Sequence, residues 1–170
     1  MENKPKRIHI IGSVGSGKTT LAKNISNILS IPHHELDNIV WKRTSNGDVR
    51  NSMDDRDAIF QNIIGQDEWV VEGVHYEWVK TSFERADMIL LLDVAKKKRK
   101  YRILKRFILQ KLNLEKANYK PTLKMLGKMF KWNHNFELMY KPDIIQILKK
   151  YNHKVYLIKD NKDIDKLFHK

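Results

Sequence analysis

The chain has 170 residues, 41% hydrophobic and 31% charged, with a net charge of +13 and no cysteine. That length suits one domain with its own core. Lack of cysteine excludes a disulfide framework, a thiolate nucleophile and cysteine-ligated zinc, and no apolar run nears the ~20 residues of a membrane helix.

The charge is lopsided: residues 1–95 carry 11 basic and 14 acidic side chains, a net of −3, whereas residues 96–170 carry 22 and 6, a net of +16. Such a face can serve nucleic acid or a membrane surface. Lysine outnumbers arginine 25 to 8, however, the reverse of what bidentate phosphate readout uses.

In chain order, Ile8-His9-Ile10-Ile11 is a short β-branched strand. It enters Gly12-Ser13-Val14-Gly15-Ser16-Gly17-Lys18-Thr19-Thr20, which meets G-x-x-x-x-G-K-[ST] at every fixed position. Leu21, Ala22, Ile25, Ile28 and Leu29 then recur at helical spacing. Strand, glycine turn and helix are the context in which this pattern makes a phosphate site, with backbone N–H groups curled inward at a helix N-terminus. Lys18 is expected to reach the β- and γ-phosphates and Thr19 to hold Mg²⁺. The stretch from Gly12 to Thr20 therefore predicts binding of a nucleoside triphosphate.

Pro32 breaks the helical pattern, and His33-His34-Glu35-Leu36 reads as a second strand ending at Asp37. Neighbouring histidines on a strand point to opposite faces, so the pair reads as structural or acceptor-side. Trp41 to Asn51 reads as a loop turning at Asn46-Gly47-Asp48. Ser52, followed by Asp54 and Asp55, starts a helix with Ala58, Ile59, Phe60, Ile63 and Ile64 as its buried stripe and Gly65 as its stop. Trp69-Val70-Val71 is a third strand running into Glu72-Gly73, and Trp78, Val79 and Phe83 suggest a short helix. Met88 to Leu92, apolar throughout and ending at Asp93, fits a central parallel strand covered on both faces.

Lys96 to Lys100 open a helix with apolar positions Tyr101, Leu104, Phe107, Ile108 and Leu112. Beyond a weakly patterned connection closed by Pro121, Leu123, Leu126, Met129 and Phe130 form another stripe; Trp132, Phe136 and Met139 extend it as a row read as core. Pro142 sits at the first turn of a helix reaching Lys150. Val155 to Ile158 is a fifth strand, and Ile164, Leu167 and Phe168 mark a closing helix. Strands alternating with helices predict one α/β domain over residues 1–170, a P-loop NTPase with three α/β/α layers. Its sheet is five-stranded and parallel, and residues 96–140 form a basic helical lid insertion.

Ligands in such sheets sit beyond the carboxyl ends of the strands, which brings the Gly12 loop, Asp37 and Glu72 to one edge. Phosphoryl transfer needs charge neutralisation and positioning. Asp37 is placed to orient or deprotonate an acceptor hydroxyl, and Glu72 to hold Mg²⁺ through a water, beside Thr19. Asp93 ranks below Glu72, because its strand enters a lysine-rich helix. Arg102 and Arg106, four apart, share a helix face and are placed to close over the triphosphate. The plain alternatives are a turn cap for Asp37, a solvated strand-end acid for Glu72 and a solvated stripe for the arginines. For the arginines, composition by itself favours that stripe.

The Gly12–Thr20 loop, Val71-Glu72-Gly73, and Leu92-Asp93-Val94 followed by Arg102-Ile103-Leu104-Lys105-Arg106 resemble the adenylate kinase-like P-loop kinases. In adenylate kinases the third strand ends in Asp-Gly and an R-x-x-x-R pair begins the lid. Lys154-Val155-Tyr156-Leu157-Ile158-Lys159-Asp160 resembles their last strand, after which backbone groups contact adenine. His33-His34-Glu35-Leu36-Asp37, Gly47-Asp48-Val49-Arg50 and Trp69 to Val74 are similar to the DNA topology modulation proteins, a group of that fold whose name establishes no reaction. Adenylate kinases continue after Asp-Gly with Phe-Pro-Arg; Val74-His75-Tyr76 stands here instead, so Tyr76 replaces the arginine that grips the acceptor's phosphate. Arg50 and Arg56 are left as replacements.

The resemblance implies an ATP- and Mg²⁺-dependent phosphotransferase acting on a nucleotide or other small-molecule acceptor. An ATP site and a start without the apolar stretch of a signal peptide favour the cytoplasm, and without a membrane-length apolar run no membrane partner is expected. The alternative is an ATP-gated nucleic-acid-binding protein that modulates DNA topology, although no DNA-reading module is recognisable. A nucleotide sensor without kinase activity is the third reading. The lid is predicted to bring Arg102 and Arg106 to the phosphates when nucleotide binds.

Overall fold

The computed structural model describes residues 4–44, 47–115 and 121–159. β1 (Arg7–Gly12) leads through the glycine loop into α1 (Lys18–Leu29), and β2 (His33–Glu35) passes at once into α2 (Leu36–Val40). A hairpin of β3 (Trp41–Thr44) and β4 (Gly47–Arg50) precedes α3 (Met53–Gly65); β5 (Trp69–Gly73), α4 (Lys80–Arg85) and β6 (Met88–Leu92) follow. The basic half contains α5 (Lys96–Lys111), α6 (Leu123–Asn135), a π-helical turn (Phe136–Tyr140) and α7 (Lys141–Leu148), then a 3₁₀ stretch (Lys149–Lys154) and β7 (Val155–Ile158).

Five strands form one parallel sheet in the order β2-β5-β1-β6-β7. β1 is central, and its side chains alternate between two cores. Ile8 and Ile10 join Val70, Leu90 and Leu92 against Leu21, Ala22 and Ile25 of α1. Ile11 joins Val71, Ile89 and Leu91 against Phe60, Phe83, Phe136 and Ile144 on the other face. These are the three predicted layers. Burial on both faces explains why β6 and the first three residues of β5, Trp69-Val70-Val71, read as unbroken apolar runs.

Several local expectations are corrected. β2 ends at Glu35, and Asp37 lies in the first turn of α2 rather than at a strand end. The stretch after Trp41 is an antiparallel hairpin, with Trp41 opposite Arg50 and Lys42 opposite Val49. It was unreadable because these polar strands show no apolar alternation; they are anchored from below by Asn51, which bonds the Ile39 and Val40 carbonyls at 2.8 and 3.0 Å. Asn46, predicted in its turn, lies outside the described residues.

Ser52 caps α3 as expected, accepting from the Asp55 N–H at 3.1 Å. Of that helix's predicted stripe, Phe60 and Ile64 are buried, Ile63 is partly covered, and Ala58 and Ile59 are exposed. On α5 most of the predicted apolar stripe faces outward: Tyr101, Leu104, Ile108 and Leu112 are exposed and Phe107 is half-buried, while Arg99, Ile103 and Gln110 are buried. Leu123, Trp132 and Met139 are likewise exposed, whereas Met129 and Phe136 are buried as expected, and Asn133 points inward with them. The predicted closing helix at Ile164 lies outside the described residues.

Candidate functional site

The register of the central strands builds the site. Ile11 lies opposite Gly73 and Gly12 opposite Leu92, so the glycine loop leaves the middle of the sheet between the ends of β5 and β6. Gly15 and Gly17 have φ of 74° and 95°, the left-handed region that glycine enters without penalty. A Cβ on Gly15 would also meet the Arg99 carbonyl oxygen at 2.9 Å, which shows how tightly α5 sits on the loop. Ser13 and Ser16 are buried in this turn, and Val14, Lys18 and Thr19 are half-buried, with Thr20 exposed on α1. The Lys18 ammonium donates to the Ser13 carbonyl at 3.0 Å, which holds it over the loop.

Thr19, in the first turn of α1, donates its hydroxyl to the Glu72 carboxylate at 2.5 Å. Glu72 is buried at the end of β5. Burial raises its carboxyl above the usual range; the Lys18 charge and the Thr19 hydrogen bond pull it back, and Glu35 and Asp37 push it up again. A buried carboxylate paired with a hydroxyl, both hard oxygen donors beside a phosphate nest, is a donor set that suits Mg²⁺. Gly73 lets this edge close, because a Cβ there would meet Leu36 Cβ at 2.9 Å.

The two predicted lid arginines differ. Arg102 donates to the Ser16 carbonyl of the loop at 2.8 Å. Arg106, on the same face, points to the sulfur of Met129 at 3.8 Å and so ties α5 to α6. Asp37 is exposed, with its carboxylate 3.4 Å from His75 Nε2. His75 in turn packs against Trp78, whose ring carries the Arg56 guanidinium at 4.5 Å. Arg56 thus belongs to the wall beside Asp37 and His75, whereas Arg50 lies out on the hairpin over Trp41. Tyr76 donates to Asp143 at 3.3 Å. Asp93 is committed elsewhere, to Lys141 at 2.5 Å.

Sequence reasoning missed a polar seam that seats the basic half on the loop. Arg99 is completely buried, bonded to Glu137 and lying over the Phe136 ring at 5.3 Å. Its Nε and Nη1 have no partner among the described residues. Glu137 is shared with Lys141 at 3.7 Å, and buried Asn133 accepts from the Ser13 hydroxyl at 3.4 Å. One signal existed: Arg99 is the single arginine in Lys96-Lys97-Lys98-Arg99-Lys100, and arginine is the cation suited to buried pairing.

No family model matches the chain, and no curated protein matches it. Solved shikimate kinases do resemble it in structure. The enzyme from Acinetobacter baumannii, solved in complex with shikimate, is 12% identical, with a TM-score of 0.52 over 93% of this chain and 84% of that one. The enzyme from Bacteroides thetaiotaomicron is 17% identical, with a TM-score of 0.48 over 97% and 95%. The strand order, the glycine loop and the Acinetobacter likeness together make this the fold of the P-loop kinases. At such identity the likeness concerns the fold alone.

Proposed function

We propose that this chain is an ATP-dependent phosphotransferase that passes the γ-phosphate of ATP to the hydroxyl or phosphate of a small-molecule acceptor. The observation that carries this reading is the link between Thr19 and Glu72 beneath a complete phosphate loop, whose carbonyls Lys18 and, from α5, Arg102 also bond. The backbone from Gly12 to Thr20 receives the phosphates, and Lys18 swings from the Ser13 carbonyl to the β- and γ-oxygens. Thr19 and Glu72 hold Mg²⁺, which when bound neutralises phosphate charge. Arg102 and, behind it, Arg106 answer the negative charge that grows on the transferred group. Asp37, beside His75, takes the acceptor's proton. We further propose that residues 96–140 shift when nucleotide binds; protease protection unchanged by an ATP analogue argues against it.

The test is turnover. Lys18→Ala is expected to stay folded and lose ATP hydrolysis and transfer, and wild-type turnover in that variant rejects the reading. ADP release against nucleosides, nucleotides, sugars and shikimate identifies the acceptor. Neither the fold nor the structural neighbours support the nucleic-acid alternative or the topology-modulation resemblance.

A further inference from the structure

We propose that the outward face of α5 is a docking surface for an anionic lipid bilayer. Apart from Ile103, the helix turns a polar side, with Arg99, Arg102 and Gln110, inward and most of its apolar side chains to solvent, the reverse of what a globular core asks. Tyr101, Leu104, Ile108 and Leu112 are 65%, 43%, 48% and 61% exposed. At 3.6 residues per turn they form one strip along a helix of about 24 Å. Just past the helix end, beyond the left-handed Asn113, Leu114 is also 72% exposed. Among the described residues nothing covers this strip.

Charge decides what fits there. On the helical wheel, Lys98 and Lys105 border one side of the strip and Lys100 and Lys111 the other. From Lys96 to Asn135 the chain holds 14 basic residues and one acid, Glu115. An apolar strip between rows of lysine is the pattern of a helix lying in a membrane interface. The apolar side chains reach the acyl boundary, and the lysine stems extend along it with their ammonium groups at anionic headgroups. Duplex phosphates would satisfy the lysines but leave leucine and isoleucine against an ionic backbone. A second copy would set one lysine row against another. Lysine, a mobile point charge, also suits a diffuse anionic surface better than a fixed phosphate pattern. No described helix is long and apolar enough to cross a membrane, so contact of this kind is peripheral.

The test is co-sedimentation of the full chain with vesicles of phosphatidylcholine alone or mixed with phosphatidylglycerol. Binding is expected to the mixed vesicles only. Ile108→Ser with Leu112→Ser, and separately Lys105→Glu with Lys111→Glu, should each weaken it about tenfold or more. All four side chains are exposed, so both variants should melt like the parent protein. Four results overturn the proposal: no binding to mixed vesicles, equal binding to neutral ones, binding indifferent to the serine pair, or a dimer in sedimentation velocity that the serine pair dissolves. Duplex DNA affinity that falls with the glutamate pair but not the serine pair, with vesicles unbound, assigns the face to nucleic acid instead.

Discussion

The Thr19 hydroxyl meets the Glu72 carboxylate at 2.5 Å and joins the first turn of α1 to the end of β5. Two residues 53 apart in the chain thereby share one proton and one electrostatic environment. Of the groups that lower the Glu72 pKa, the Lys18 charge is the largest. Lys18→Met should therefore raise the Glu72 carboxyl further above its ordinary value, read by NMR titration of the side-chain carbon. A value that stays put or falls rejects the coupling. Because folding raises this carboxyl, it binds a proton more readily in the native state, and its contribution to stability fades as pH climbs through its folded pKa. For the proposed Mg²⁺ site, Glu72→Gln should also cut turnover roughly 10- to 100-fold, the usual cost of disturbing an acid that supports a metal.

Arg102 should matter more to turnover than its helical neighbour. It alone of the pair bonds the loop, at the Ser16 carbonyl, while Arg106 faces Met129. Arg102→Ala is expected to lower kcat by roughly 10²- to 10³-fold, the scale seen when one transition-state donor is removed. Arg106→Ala should cost less in kcat and more in thermal stability. Steady-state kinetics on both variants decide this, and the reverse ranking contradicts it.

Breaking the buried pair at Arg99 should be costly. Glu137→Ala leaves a fully buried guanidinium without its carboxylate, a change worth about 3–5 kcal/mol. Replacing both partners by apolar side chains, Arg99→Met with Glu137→Leu, removes the charges together and should recover much of that loss. Urea unfolding of the single and double variants tests this; a double variant no better than Glu137→Ala contradicts the account.

His9 should make the fold acid-sensitive. It lies fully buried in β1, with Nδ1 2.8 Å from the Ser82 hydroxyl and its ring 4.5 Å from Phe83. Ser82 donates its own proton to the Val79 carbonyl at 2.7 Å, so His9 Nδ1 carries the hydrogen and donates it. Burial, helped by the charge of His75, pushes the His9 pKa down from 6.5 to about 3. The unfolded chain therefore takes up a proton that the native state refuses. This contribution is complete above pH 6.5 and is lost as pH falls toward about 3, at about 1.4 kcal/mol per pH unit. Urea midpoints across that range should fall, and His9→Gln should flatten the slope. Parallel profiles for the two proteins remove His9 from the explanation.

The phosphate loop was legible because its chemistry is contiguous: Gly12 to Thr20 hold their glycines, lysine and threonine at fixed spacing, between a β-branched strand and a helix. The central strand β6 was legible for a related reason, since burial on both faces leaves an unbroken apolar run from Met88 to Leu92. Glu72 could be placed at a strand end from its neighbours, but its bond to Thr19 could not, because that depends on the register of β5 beside β1. The hairpin of β3 and β4 stayed hidden because most of its side chains are polar and its two apolar ones, Trp41 and Val49, are exposed and show no alternation.

By itself the sequence determined the phosphate loop, the parallel sheet and the strand ends that meet at one edge. Only the tertiary structure decided which way α5 faces, and with it the partners of Arg99 and Arg102 and the exposure of Tyr101, Ile108 and Leu112. Periodicity shows that a helix has two faces but not what each will meet. Here the inward neighbours are the Ser16 carbonyl and the Glu137 carboxylate, and guanidinium groups satisfy them where leucine cannot.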